Sequence, residues 1–354
     1  MHDPVELMLE VRPGARFDLI DVRKEAVAKG AGLEEFPRAL YCSFHTTAGY
    51  LEQGLASRLS QAQLGIGPYI HVFRRMFPEG AGYRHDDLNR REELTDVQRI
   101  VEPKNADAHL AFIAAGLSNC VNYVNRPNEP VYFVDLDGVC NDQPRRRLTS
   151  VIGFHHEEVV ARESFVIPVS SHPIDSLNLK DSRIGLYEQM QELIGRHGIQ
   201  NGRVHLALAA CERHAGLTVN EYETLLMRHD LREVLGNPLR FVAEKGRNLL
   251  TDPWGIPNRT IDYATYDLVQ VCNKVFEAFR MSESMMENLF ARLVAVPARR
   301  FLRMKRSVSL LVTDRELTGE GTIAEGPYQC PILVQWARAD GRQRSIEMTL
   351  TRLR

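Results

Sequence analysis

The feature that most constrains this chain is an imperfect internal repeat. Residues 16–50 read RFDLIDVRKEAVAKGAGLEEFPRALYCSFHTTAGY, and residues 172–221 read HPIDSLNLKDSRIGLYEQMQELIGRHGIQNGRVHLALAACERHAGLTVNE. Each passes from an Asp-bearing polar turn (Asp18, Asp175) through a helical-period segment and a Gly-bearing break into an apolar strand. A polar cluster and an Ala-Gly pair follow. Such self-similarity implies that one structural unit has been copied, so the 354 residues divide into two units of ordinary domain size. The patterning predicts a helix over 21–30 and a strand over 39–44 in the first copy. In the second it predicts a helix over 182–197, with Ile184, Leu186, Met190, Leu193 and Ile194 at helical spacing, and a strand over 204–210.

The copies also end alike. VYFVDLDGVCNDQPRRRLTSVIGF and ILVQWARADGRQRSIEMTLTRL each hold an apolar strand, an Asp-Gly pair (Asp137-Gly138, Asp340-Gly341), an Arg-x-Arg and a closing strand. That order predicts an antiparallel hairpin with Asp-Gly in its connection. The middles are helical in pattern, at 105–117 in the first copy and at 266–279 and 283–296 in the second. We place the boundary after the first closing strand, giving domains 1–158 and 159–354. The expected class is α+β, antiparallel strands packed with helices in two tandem domains. With no low-complexity linker between them, the copies should pack tightly.

Composition narrows the function. Forty-four Lys+Arg against forty-six Asp+Glu leave a formal charge of -2, which offers no global field for nucleic acid or an anionic membrane. Aromatic residues make up 8% and none interleaves with the basic clusters, so nucleic acid is not an expected partner. No apolar run approaches the roughly 20 residues needed to cross a bilayer, and MHDPVELMLEVRPG lacks the layout of a secretory leader. A cytoplasmic protein without membrane partners is the expectation. The six cysteines are scattered without a CxxC pair, which favours reduced thiols.

Three histidines of the first copy sit in polar clusters: His45 in FHTTAGY, His85 in GYRHDDLNRR and His109 in KNADAHLAF. Their wide spacing matches no compact zinc signature. Taken together they still read as ligands for zinc or another divalent ion, since neutral imidazoles suit such metals. His45 ends a strand before a tight turn, and Asp86 beside His85 can orient a ring or bind the ion itself. Asn105 is the expected cap for the helix that carries His109.

These strings carry a resemblance. FDLIDV, FHTTAGY, YRHDD, NADAHL followed by Gly116 and Ser118, and Asp-Gly with Arg-x-Arg occur in the order and with the content of the YjbQ-type family, labelled uncharacterised or secondary thiamine-phosphate synthase. The resemblance spans about residues 7–156. It implies a compact α+β fold of antiparallel strands, assembly as a trimer, and a polar site around His45, His85 and His109. In the second copy AGLTVNE, GTIAEGPYQC and ADGRQR resemble other parts of the same family. There Glu212 stands where the HTT histidine would be, and Arg292 where the NADAHL histidine would be. No counterpart of YRHDD is evident, TDPWGIPN being nearest. The copies have thus lost complementary parts, so they are expected to share a site to which the second copy contributes carboxylate, amide or guanidinium groups, the alternative being a decayed second copy kept for packing.

The resulting expectation is a metal-dependent enzyme, a lyase, hydrolase or transferase acting on a small phosphorylated or carboxylated metabolite. His45, His85 and His109 would hold the ion, zinc foremost, with Asp86 as ligand or support. Glu212 or Glu221 would serve as acid or base, Glu212 with His214 beside it. Arg145 and Arg147 alternate along a strand start and would form a fork for the substrate anion, with Thr46 and Asn105 as further substrate contacts. A homo-oligomer is expected, though a tandem chain can replace two subunits and need not repeat a trimer. The rival readings are a metal- or phosphate-binding protein without turnover and a structural assembly protein.

Overall fold

The computed structural model describes residues 3–30, 32–61, 65–126, 128–236, 241, 304–315 and 317–354. The helices expected over 266–279 and 283–296, TDPWGIPN and Arg292 lie outside the described residues. The chain forms two compact units, and each draws on both copies: Met1–Gln53, Gly116–Tyr222 and Met304–Arg354 in the first, Gly54–Ala115 and Glu223–Arg303 in the second. They are taken in turn.

Strand alternation builds the first unit. Its first half has a four-stranded sheet in the order β1 (Val5–Val11), β9 (Arg147–Phe154), β3 (Arg38–Ser43) and β5 (Cys120–Val124). A three-stranded sheet accompanies it, ordered β2 (Asp18–Asp21), β6 (Tyr132–Asp135) and β4 (Ala48–Gly49). In the second half the order is β10 (Glu157–Pro168), β17 (Gln343–Leu353), β12 (Asn201–Leu208), β14 (Ser307–Thr313) and β15 (Thr322–Ala324). Its companion sheet runs β11 (Asp175–Asn178), β16 (Cys330–Gln335) and β13 (Ala215–Asn220). Apart from the extra β15 and a short two-stranded pair found only in the first half among the described residues, the second half repeats the first strand for strand, all antiparallel. The α+β class holds, and the sequence repeat is a repeat of topology.

Successive residues of a strand face opposite ways, and β3 uses both faces. Ala39 and Tyr41 point into the first half's own core with Val121, Tyr123, Phe133 and Val151. Leu40 and Cys42 point the other way, with Cys120, Ile152 and Phe154, against Leu311 and Leu353 of the second half. The tight packing of the copies is this shared layer. Helix α1 (Val22–Ala28) starts at Asp21, whose carboxylate accepts the Lys24 N–H at 3.1 Å. In the second half the corresponding helix starts later than expected, at Leu186 and running to Arg196, because Gly185 takes φ 70° just before it. Its Leu186, Met190, Leu193 and Ile194 are buried against Val204, Leu206 and Leu217.

The expected Asp-Gly hairpins are not formed. β9 is satisfied along its edges by β1 and β3, so β6 pairs instead with β2 and β4 in the other sheet. Asp137-Gly138 therefore leads a crossing between sheets. The tight turn follows it, where β7 (Val139–Cys140) and β8 (Gln143–Pro144) flank Asn141 and Asp142 at φ 49° and 59°. Two consecutive positive φ values are the mark of a two-residue hairpin turn.

The second unit is helical. It holds the helix of Gln53–Gln61 from Gly54 on, then those of Ile66–Met76, Asp96–Val101 and Ala106–Ala115. A π-helical turn at Leu226–Asp230 runs into the helix of Leu231–Gly236. Every residue of Ala106–Ala115 is buried, including Asp107 and His109. A helix buried all round is a core element, so its polar side chains are enclosed among the others of this unit.

Candidate metal centre and histidine loop

In the second unit His85 and His109 face each other, their ring centroids 5.3 Å apart at 78°. One ligand nitrogen of each lies within 4.8 Å of the other. Both residues are buried, at 1% and 0% exposure. The Asn105 carbonyl accepts the His109 N–H at 3.2 Å and so starts the helix that carries it, as its capping position implied. Asp86 caps the same helix by accepting the Ala106 N–H at 3.0 Å. This contact makes Asp86 a positioning residue that joins the His85 loop to the His109 helix. The Asn105 side-chain oxygen lies 3.4 Å from His85 Nε2.

The second copy supplies what holds His85. Glu223 Oε2 takes the His85 Nδ1 proton at 2.8 Å, while its carboxylate also accepts the N–H groups of Leu225 and Leu226 at 2.6 and 2.7 Å. Asp230 accepts the backbone N–H groups of Arg84 and His85 at 3.1 and 3.0 Å. Burial opposes ionisation of Glu223, yet the His85 bond and the two backbone N–H groups outweigh it and hold the carboxyl below its usual range. A charged carboxylate on Nδ1–H assigns the lone pair of a neutral His85 to Nε2. A carboxylate behind an imidazole is also the arrangement that orients metal ligands. Two buried imidazoles with one tautomer fixed supply part of the three- or four-ligand set that a borderline-soft divalent ion such as zinc takes.

His45 belongs to the first unit, where the geometry differs. Its Nε2 accepts the Leu148 N–H at 2.7 Å. A neutral ring that accepts at Nε2 carries its proton on Nδ1, so neither nitrogen is open to an ion. This corrects the expected metal role of His45. Burial first, then the Arg147 and Arg145 charges, push its pKa from 6.5 down to about 3. The loop is fixed by both copies. The His45 carbonyl accepts from Asn119 and, at 2.8 Å, from Gln329, which also donates to the Ser43 carbonyl at 2.9 Å. Asn220 donates to the Thr46 carbonyl at 3.1 Å.

The expected arginine fork is committed to the protein. Arg147 is 2% exposed and bonds Asp135 with Nε and Nη2 at 2.7 and 2.8 Å. Its remaining contacts include the Asp137 carbonyl and Thr47. It therefore staples the two sheets at the crossing instead of binding substrate. Arg145 pairs with Asp137, which Arg16 also approaches at 3.6 Å.

The second copy repeats this corner with other chemistry. Arg344 occupies the place of Arg147, and Gln335 that of Asp135. Glu212 stands in for both His45 and the lost carboxylate. Its Oε1 accepts the Ser345 N–H at 2.7 Å, and its Oε2 accepts Arg344 Nη1 at 2.8 Å. Thus Glu212, expected as an acid or base, anchors a strand start. His214, at φ 56°, accepts the Trp336 N–H through its carbonyl. Glu221 follows β13, with its N–H on the Asn220 side chain at 2.8 Å. Residue-by-residue reading missed Glu223 and Asp230, whose only signal was a polar position before an apolar helical run. Gln329 lay in a stretch already matched to the family.

No family model and no curated protein sequence matches the chain. Among solved structures it is similar to a hypothetical protein from Aeropyrum pernix K1, at 17% identity over 54% of this chain and 98% of that one, with a TM-score of 0.29. It is similar to a YbjQ-like protein of unknown function from Sulfolobus solfataricus P2, at 16% identity over 56% and 99%, TM-score 0.28. A third is an uncharacterised conserved protein of the yjbq/upf0047 family from Clostridium acetobutylicum, at 14% identity over 54% and 99%, TM-score 0.22.

Proposed function

We propose that this chain is a metal-dependent enzyme in which His85 and His109 hold a divalent ion, zinc foremost, and act on a small phosphorylated or carboxylated metabolite. The observation that carries the reading is the Glu223 carboxylate 2.8 Å from His85 Nδ1, which turns Nε2 into the ligand atom. When bound, the ion would supply Lewis-acid polarisation of a substrate oxygen or water. Glu223 keeps the neutral His85 in one tautomer. Asp230 fixes the backbone that presents the ring, and Asp86 sets the phase of the His109 helix against it. Because Glu223 and Asp230 come from the second copy and the histidines from the first, duplication places both sets in one chain.

The motif resemblance supports a homo-oligomeric state and a thiamine-phosphate-synthase-like step, the asymmetric duplication supports a specialised biosynthetic step instead, and the cytoplasmic setting is the expectation from the sequence. Among the described residues no helix is long and apolar enough to cross a membrane. The test is elemental analysis of untagged protein as purified and after reconstitution with zinc, alongside His85→Ala and His109→Ala. One ion per chain in the wild type, lost in both variants, is the expected result. A wild type that carries no metal and gains none on reconstitution would sink the reading and leave the histidines as buried polar core.

A further inference from the structure

We propose that His45 is a dedicated hydrogen-bond donor, its Nδ1–H presented to an oxygen of an anionic ligand group, phosphate or carboxylate. The inference rests on the first unit alone and stands apart from the metal reading. Three observations carry it.

The first is the direction of the Leu148 bond. A backbone N–H can only donate, so His45 Nε2 must accept at 2.7 Å, and the proton of the neutral ring sits on Nδ1. Among the described residues no hydrogen-bond partner reaches that Nδ1. The second is the comparison within the chain. At the equivalent corner Glu212 accepts the Ser345 N–H at the same 2.7 Å. The strand start therefore needs only an acceptor, which a carboxylate supplies as well as an imidazole. What distinguishes His45 from Glu212 is the donor on its far side, and copy two has given that up. The third is the investment in the loop. Asn119, Gln329 and Asn220 fix the carbonyls of His45 and Thr46, an immobilisation that a strand end held by one acceptor bond does not need. Preorganised donors of this kind favour developing or permanent negative charge.

The surroundings select the ligand class. Arg147 and Arg145 add to burial in depressing the His45 pKa, and with Arg16 they place three guanidinium groups against two carboxylates, Asp135 and Asp137. A neutral donor beside this pair of arginines suits an oxyanion and disfavours a cation.

The experiment is nitrogen NMR on histidine-labelled protein, wild type and His45→Gln, titrated with inorganic phosphate and separately with zinc. Glutamine keeps an oxygen near the Nε2 position for Leu148 and removes the Nδ1 donor. The expected wild-type spectrum shows His45 protonated on Nδ1 and bare at Nε2 from pH 5 to 8, undisturbed by zinc and shifted by phosphate. His45→Gln should keep its fold and bind phosphate about tenfold more weakly, the scale of one bond to a charged group. Protonation at Nε2, a zinc-induced shift of the His45 nitrogens, no phosphate response, or equal phosphate binding by both proteins would each overturn the assignment.

Discussion

Replacing His45 by glutamine should flatten the acid limb of the protein's stability. In the unfolded chain the imidazole titrates near 6.5, whereas burial and the two arginines hold it at about 3 in the folded protein. Between those values the unfolded chain takes up a proton that the folded one refuses, so stability falls as pH falls from 6.5 toward 3. The slope is about 1.4 kcal/mol per pH unit, or roughly 2–3 kcal/mol between pH 6 and pH 4. Glutamine has no titration in that range and retains an acceptor for Leu148. Every other ionisable group is common to the two proteins, so the difference between their curves isolates His45. Urea unfolding at half-unit pH steps gives both curves. The wild type should lose the advantage it holds at pH 7 relative to the variant, with the gap closing or reversing by pH 4. Curves that run parallel within about 0.5 kcal/mol from pH 6 to pH 4 would refute the neutral, enclosed imidazole on which the argument depends.

Other outcomes follow from the same contacts. Glu223→Gln keeps one oxygen where Leu225 and Leu226 now donate to two and removes the anion on His85, so zinc affinity measured by competition with a chromophoric chelator should fall about 10–100-fold; unchanged affinity would remove Glu223 from the centre. Because its carboxyl is held below 4.5, the stability Glu223 adds is complete above that pH and is lost as pH drops through the lower folded value. Arg147→Ala leaves Asp135 enclosed without its partner and should cost about 3–5 kcal/mol by urea unfolding. Gly326→Ala would put a Cβ 1.9 Å from the Phe44 carbonyl oxygen, so it should displace the Gln329 loop and lower the melting temperature, whereas a melting curve matching wild type would show that the loop yields freely.

Much of the scaffold was legible because its signals are local. Alternation marked β3, and helical periodicity placed the first helix, whose Asp21 cap takes a partner only three residues away. The repeat was readable for the same reason, since each copy carries its own turn, break and strand in order. The hairpins failed because an Asp-Gly pair says where a chain turns and is silent on which edge its next strand will find. β9 found two, in β1 and β3, and left β6 to the other sheet. Arg147 opens β9 and Arg145 lies just before it, and the residues they face, Asp135 and Asp137, make them staples.

For the histidines, sequence by itself determined their identity, their place at element ends and the company of Asp86 and Asn105. Only the tertiary structure decided what each ring can do. Glu223, from the other copy, reaches Nδ1 of His85, and Leu148, at the start of a distant strand, reaches Nε2 of His45. The same side chain thus offers a lone pair in one case and a proton in the other. The physical reason is that a tautomer is set by the partner on the opposite nitrogen, and these partners, more than 100 residues away in the chain, are brought in by strand pairing and helix packing, over which residue spacing carries no information.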